Sequence, residues 1–125
     1  MKFIKAGQGT MVEGDGYKKD VFVKGVDLIS NKALVQMIII DPHEIATDHY
    51  HKKTTEIFYF MEGTGVFIVD AKEYECFPGD ILICEANEMH STRNESDQTW
   101  KYLAFKTDNT DLEGGDSIWV DSKKQ

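Results

Sequence analysis

Short runs of branched and aromatic residues, each cut off by glycine, proline or a polar turn signal, set the tightest limit on what this chain can fold into. The clear runs are Val21 to Val26, Ala33 to Ile40, Glu56 to Glu62, Val66 to Val69, Tyr74 to Phe77, Asp80 to Cys84, His90 to Arg93 and Trp100 to Lys106. Between them lie Asp41-Pro42, Glu62-Gly63-Thr64-Gly65, Asp70-Ala71-Lys72-Glu73, Pro78-Gly79-Asp80 and the polar loop Asn94 to Gln98. Proline cannot donate to a ladder and glycine accepts left-handed backbone, so these are stops with a mechanism. No helical periodicity persists beyond about two turns. The pattern predicts an all-β sandwich or barrel. Gly7, Gly9, Gly14 and Gly16 favour turns over regular structure in the first twenty residues, and the polar segment from Asp108 to Asp116 predicts a loosely attached edge from there through Trp119.

The 125 residues suit one domain, 1–125, with its core over about 20–107 and edge segments at either end. A net charge of −8 argues against nucleic acid and anionic membrane as partners, because binding phosphates needs clustered Lys and Arg. The pairs Lys18-Lys19, Lys52-Lys53 and Lys123-Lys124 read as solvated surface. The strongly apolar run Met37 to Ile40 is far too short to span a bilayer, and Met1 to Gly7 lacks the apolar core of a signal peptide, so a cytoplasmic location is expected. In that reducing setting Cys76 and Cys84 are expected as buried free thiols.

The chemistry concentrates between His49 and Gly63. His49 and His51 stand at i and i+2, so an extended strand turns both imidazoles to one face, as a strand does when it offers two nitrogens to one metal ion. The polar Lys52 to Thr55 reads as a turn, and Glu56 then opens the next strand beside the histidines. His90 follows the later apolar run ending at Cys84. Three imidazoles and one carboxylate form a mixed nitrogen and oxygen set that suits a divalent transition metal: Mn, Fe, Ni, Co or Zn. On a six-coordinate ion such a set leaves about two positions open for substrate, and the ligands must bind deprotonated, so affinity is expected to fall below about pH 6.

At these residues the sequence resembles the cupins. Their first motif, G-x5-H-x-H-x3-4-E-x6-G, is met by His49, His51, Glu56 and Gly63, with His43 at the leading glycine position. Their second motif, G-x5-P-x-G-x2-H-x3-N, is met by Gly79, His90 and Asn94, with Glu85 in place of the proline and Asn87 in place of the second glycine. The resemblance implies a jelly-roll, or double-stranded β-helix, barrel holding a metal through His49, His51, Glu56 and His90. It also implies a homodimer, since small cupins commonly pair through edge strands, and the apolar Ala33 to Ile40 strand is the candidate surface. A substrate is not implied, because the family spans oxygenases, isomerases, epimerases, storage proteins and sensors.

Strand parity extends the reading to the cavity wall. Phe58 and Phe60 share the face of Glu56, and Thr92 and Glu88 share that of His90, so these residues are expected to point inward. None of them is Lys or Arg, which predicts a small, uncharged or partly aromatic ligand; Lys101 would enter only if the Trp100 strand had the opposite register. His43 shares the ligand face if the alternation is unbroken, as a rim acid/base or extra ligand, and is otherwise a surface histidine near a turn. The expected function is a metal-dependent enzyme on a small oxygenated molecule, with Glu56 also a candidate proton shuttle. The competing reading is a binding or sensing module without turnover.

Overall fold

The structure, a computed structural model, describes residues 1–24, 27–28, 32–108 and 116–120. Its strands are β1 (Thr10–Gly14), β2 (Tyr17–Val23), β3 (Leu34–Ile40), β4 (Ile45–His51), β5 (Thr55–Glu62), β6 (Gly65–Val69), β7 (Lys72–Cys76), β8 (Ile81–Cys84), β9 (His90–Arg93), β10 (Trp100–Thr107) and β11 (Ser117–Trp119). They form two antiparallel sheets, ordered β1-β2-β3-β10-β5-β8 and β11-β4-β9-β6-β7. The all-β class is the one expected from the punctuated apolar runs, and the jelly roll is the one that the resemblance to the cupins implied.

Alternation along the strands decides what faces the space between the sheets. On β5, Glu56, Phe58 and Phe60 are buried while Ile57 is half-buried and Tyr59 exposed; on β10, Trp100, Tyr102, Ala104 and Lys106 are buried. Phe58 of one sheet meets Phe67 of the other with ring centroids 4.7 Å apart, and Phe60 stacks on Trp100 at 5.7 Å. Gly65 makes room for that tryptophan, since a Cβ there would lie 2.2 Å from the Trp100 ring. Cys76 and Cys84 are both buried and free, as expected.

Three stretches differ from the sequence reading. The first twenty residues are not simply turns: β1 and β2 pair as a hairpin with Gly14 opposite Tyr17 around Asp15-Gly16. Gly16 supplies the left-handed residue of that two-residue loop, with φ +83. The strand expected from Val21 to Val26 begins earlier, at Tyr17, and is described to Val23; Val26 lies outside the described residues. The Ala33 to Ile40 run lies inside its sheet, between β2 and β10, so its inner face (Leu34, Gln36, Ile38, Ile40) and half-buried outer face both carry apolar residues.

Two backbone positions explain how the departures from the motifs are tolerated. His43 and Asn87, which replace motif glycines, both adopt left-handed backbone, with φ of 65 and 69. Non-glycine residues rarely do so, and Asn and His are among the types that do it most readily.

Asn94, 1% exposed, fastens the polar loop onto the sheet. Its Nδ2 donates to the carbonyls of Ile40 (3.1 Å), Asp41 (3.2 Å) and Gln98 (2.8 Å), while its Oδ1 accepts from Ser96 N (3.0 Å) and Ser96 Oγ (2.7 Å). Asn94→Ala would strand these groups, with an expected loss of about 2–4 kcal/mol of folding stability. Chemical denaturation measures it, and a loss below about 1 kcal/mol would mean that water replaces the amide.

Candidate metal centre

The four candidate ligands come from three strands and meet at one end of the barrel. His49 and His51 project from β4, Glu56 lies near the start of β5, and His90 opens β9 as the Cα partner of His49. The loop that carries the chain from His51 in one sheet to Glu56 in the other is closed by Asp116, a residue from the tail. Its carboxylate accepts from the backbone of Lys53 (2.7 Å) and Thr54 (2.8 Å) and from Thr54 Oγ1 (3.0 Å). The turn before His90 is pinned by Asn87 N donating to His51 O at 2.7 Å and by Glu85 N donating to the Glu88 carboxylate at 2.7 Å. The ligand atoms of His49, His51, Glu56 and His90 all lie within 4.8 Å of one another. Donors on opposite sides of an ion at about 2.1 Å would be roughly 4.2 Å apart, so a small contraction seats a first-row cation.

Each imidazole is oriented by its other nitrogen. His49 Nδ1 lies 3.3 Å from Thr47 O and His90 Nδ1 lies 3.1 Å from Glu88 O. A carbonyl only accepts, so both Nδ1 atoms carry the proton and both Nε2 atoms are left free to bind inward. His51 Nδ1 faces Asp116 Oδ1 at 3.3 Å and Ser117 Oγ at 3.1 Å, which favours the same tautomer. Inside the site, Glu56 Oε1 lies 2.5 Å from His51 Nε2 and 3.2 Å from His90 Nε2. The latter approach lacks hydrogen-bond geometry, so His90 Nε2 is a buried nitrogen without a hydrogen-bond partner. An inward-aimed imidazole nitrogen beside a carboxylate fits a divalent cation, which would take the place of the proton on that nitrogen.

The electrostatics show what occupies the place of the cation's charge when none is bound. Burial and the neighbouring His90 push His49 down to about 3, keeping it neutral. Burial opposes ionisation of Glu56, but the His51 and His90 imidazoles against it and the charge of Lys106 hold its carboxyl well below the usual range. Burial likewise opposes charging of His90, yet Cys84 and Glu56 outweigh it and lift that imidazole to about 10. A proton on His90 therefore balances the Glu56 carboxylate in the metal-free protein.

The other candidate residues separate into two groups. Phe58 and Thr92 line a cavity that leads to the ligands, together with Tyr102, Phe67 and Ile38. It encloses about 50 Å³ of space that a water-sized molecule can enter. Phe60 is not on that wall; it is fully buried behind it, stacked on Trp100. Glu88 is held by the Glu85 amide, off the cavity. His43 is exposed and lies 2.8 Å from Asp97 Oδ1, because the turn from Asp41 to Glu44 breaks the alternation before β4 begins.

Several residues at the site escaped the sequence reading. The expected loose tail instead seats Trp119 on His49, ring centroids 4.1 Å apart with planes at 21°, and Tyr17 stacks on the far side of Trp119 at 5.7 Å. Asp116 belongs to the same tail. The wall also carries Gln36, Lys19 and Lys106, which overturns the expectation of an inner face without cations. Lys101 faces outward against Glu62, as its expected register requires.

A family model described as a cupin domain matches residues 36–106. The chain belongs to the cupin family, and the structure gives it the family's barrel. Among curated relatives, it is 44% identical over 52 residues to quercetin 2,3-dioxygenase of Bacillus subtilis, a match covering 42% of this chain but only 15% of that enzyme's length. It is 27% identical over 92 residues to an oxalate-binding protein of Thermotoga maritima, covering 73% of this chain and 76% of the relative. Among solved structures, a Thermotoga maritima protein described as a predicted oxalate decarboxylase superposes with a TM-score of 0.77 at 21% identity, over 85% of this chain and 98% of the other. KdgF from Halomonas sp. superposes with a TM-score of 0.76 at 13% identity, over 90% and 97% of the two chains. At those identities the superpositions speak for the fold alone. Among the described residues, no helix is long and apolar enough to cross a membrane.

The raised His90 moves the expected pH window upward. Its proton competes with the metal at every pH below about 10, whereas His49 offers no competition above about 3. Affinity for zinc or manganese should therefore fall about tenfold per pH unit from pH 8.5 to pH 7, not only below pH 6. Chelator competition across that range measures it, and a flat profile would remove the His90 proton from the account.

Proposed function

We propose that this protein is a metal-dependent cupin enzyme acting on a small oxygenated molecule, of oxygenase, isomerase or lyase type. The orphaned His90 Nε2, aimed with two other imidazole nitrogens and Glu56 at one point beside a small cavity, carries the reading. A divalent metal bound by His49, His51, Glu56 and His90 would supply Lewis acidity toward an oxygen of the substrate.

The chain's own residues supply the rest. Phe58, Phe67, Ile38 and Ile40 make a dry wall that limits water near the ligands. Thr92 Oγ1 is buried on this wall beside the Tyr102 hydroxyl, and the two hydroxyls together offer hydrogen bonds to an incoming molecule. Burial and the charge of Glu56 push the Tyr102 hydroxyl well above its usual range, so it stays protonated and able to donate. Glu56 already lies against two imidazole nitrogens, a position from which its carboxylate can take up and return a proton.

A second reading, a binding module without turnover, is favoured by the similarity to an oxalate-binding protein over most of that relative's length. Either reading includes a homodimer. Ile81, Ile83, Tyr59 and Phe105 are exposed on the outer face of the larger sheet, and burying such an apolar face against a second copy would remove it from water.

Oxygen uptake and product formation by iron- or manganese-loaded protein, offered catechols, flavonols and β-diketones, test the enzyme reading. Turnover should vanish on chelation and drop at least about a hundredfold in Glu56→Ala. No turnover, together with a ligand-dependent rise in Tm, would favour the binding module. Sedimentation at micromolar concentration should give a dimer that Ile83→Lys splits into monomers; a wild-type monomer would remove the dimer.

A further inference from the structure

Lys106 stands on the cavity wall, close enough to Glu56 for its charge to favour the carboxylate but without an ion-pair contact among the described residues. β10 turns Trp100, Tyr102, Ala104 and Lys106 inward, and its register with β5 sets Lys106 directly beside Glu56. The residue is 8% exposed, and among the described residues its ammonium makes no hydrogen bond or ion pair. Gln36 is its neighbour across the β3–β10 pairing: it is the partner of Ala104, two residues along the same inward face. Gln36 is 3% exposed, lines the same cavity, and its amide also has no hydrogen-bond partner among the described residues. Lys19, a further cation on this wall, lies over the Tyr17 ring at 5.4 Å.

The Lys106 ammonium and the Gln36 amide both face the cavity rather than being sealed within protein, so each is open to a partner that enters it. Balancing Glu56 does not account for Lys106 once a divalent cation is bound. Beside a divalent ion Glu56 and Lys106 offset one another, as do the Asp116 carboxylate behind His51 and the Lys19 ammonium on the wall, so among the described residues the site keeps about the charge of the bare ion. An anion arriving with the bound molecule would lower it.

We infer that Lys106 and Gln36 form an anion-recognising subsite, and that the molecule taken up here carries a carboxylate or comparably ionised oxygens within reach of Lys106. The carboxylate would accept from the ammonium and from the Gln36 amide together, while another oxygen of the same molecule faces the ligand set. The small cavity restricts this to a short organic acid. The inference rests on the metal-dependent reading above for the second attachment point, and it replaces the uncharged ligand expected from the sequence.

Titration calorimetry of manganese-loaded protein would compare oxalate, malonate and pyruvate with oxamide, malonamide and pyruvamide, with metal content followed by elemental analysis. The acids should bind at least about tenfold tighter than the amides, and Lys106→Met should remove that preference while leaving metal content and amide binding unchanged. Gln36→Leu should weaken the acids by a smaller factor, and serves if Lys106→Met does not fold. Equal binding of acids and amides, or unchanged acid binding in metal-replete Lys106→Met, would overturn the subsite and leave the metal reading standing. Should the wild type take up no metal, acid binding that still needs Lys106 would support the subsite and fault only the metal reading; the loss of both would overturn both.

Discussion

Three imidazoles and one carboxylate converge on one point because each ring is tied down at its far nitrogen, and the rest of the barrel serves that arrangement. Thr47 O and Glu88 O hold the Nδ1–H groups of His49 and His90, and Asp116 with Ser117 holds that of His51. An imidazole free to rotate would present either nitrogen and would spend entropy on every binding event. Here that entropy is spent during folding, when β4 and β9 pair with His49 opposite His90. The closeness has a cost in the metal-free protein, visible in the opposite displacements of His49 and His90. Like charges cannot crowd so small a space, so a single proton is left to share with Glu56.

Much of this was legible from period-two alternation alone. His49 and His51 at i and i+2, and Glu56 leading Phe58 on one face, needed only strands of ordinary geometry. His90 could be attached to the set through the family's spacing, but its meeting with His49 is a long-range pairing that no local pattern encodes. Phe60 marks the limit of parity: it does face inward, yet the barrel is deep enough that the layer at Phe60 and Trp100 is core and only the layer at Phe58 reaches the cavity. His43 failed to join the ligand face because Pro42 and a left-handed backbone interrupt the alternation that parity assumed.

The unread parts share a physical cause, which is that polar segments were taken to be free of tertiary duty. Asp15-Gly16 carried a hairpin signal of its own, but the lysines and glycines around it hid a strand whose stability comes from pairing with β3. The tail after Asp108 looked unstructured because glycine and aspartate dominate it, yet Asp116 makes three hydrogen bonds to the loop between His51 and Glu56. Burial opposes its ionisation, and those donors from Lys53 and Thr54 outweigh that and hold its carboxyl below the usual range. A carboxylate so held is a firm acceptor for His51.

The tail and Lys106 together change what the cavity is. Trp119 lies flat on His49 and so covers a ligand edge that would otherwise meet solvent, while Tyr17 supports it from behind. Excluding water there lowers the effective dielectric, which strengthens the attraction of the ligand set for a cation and raises the cost of leaving Lys106 unpaired. The two effects pull in one direction. A site that shields its cation well must also neutralise the ammonium beside Glu56, and no side chain among the described residues forms an ion pair with it. A carboxylate carried by the bound molecule would supply that complement, which is the sense in which the wall around the ligand set suits an acid.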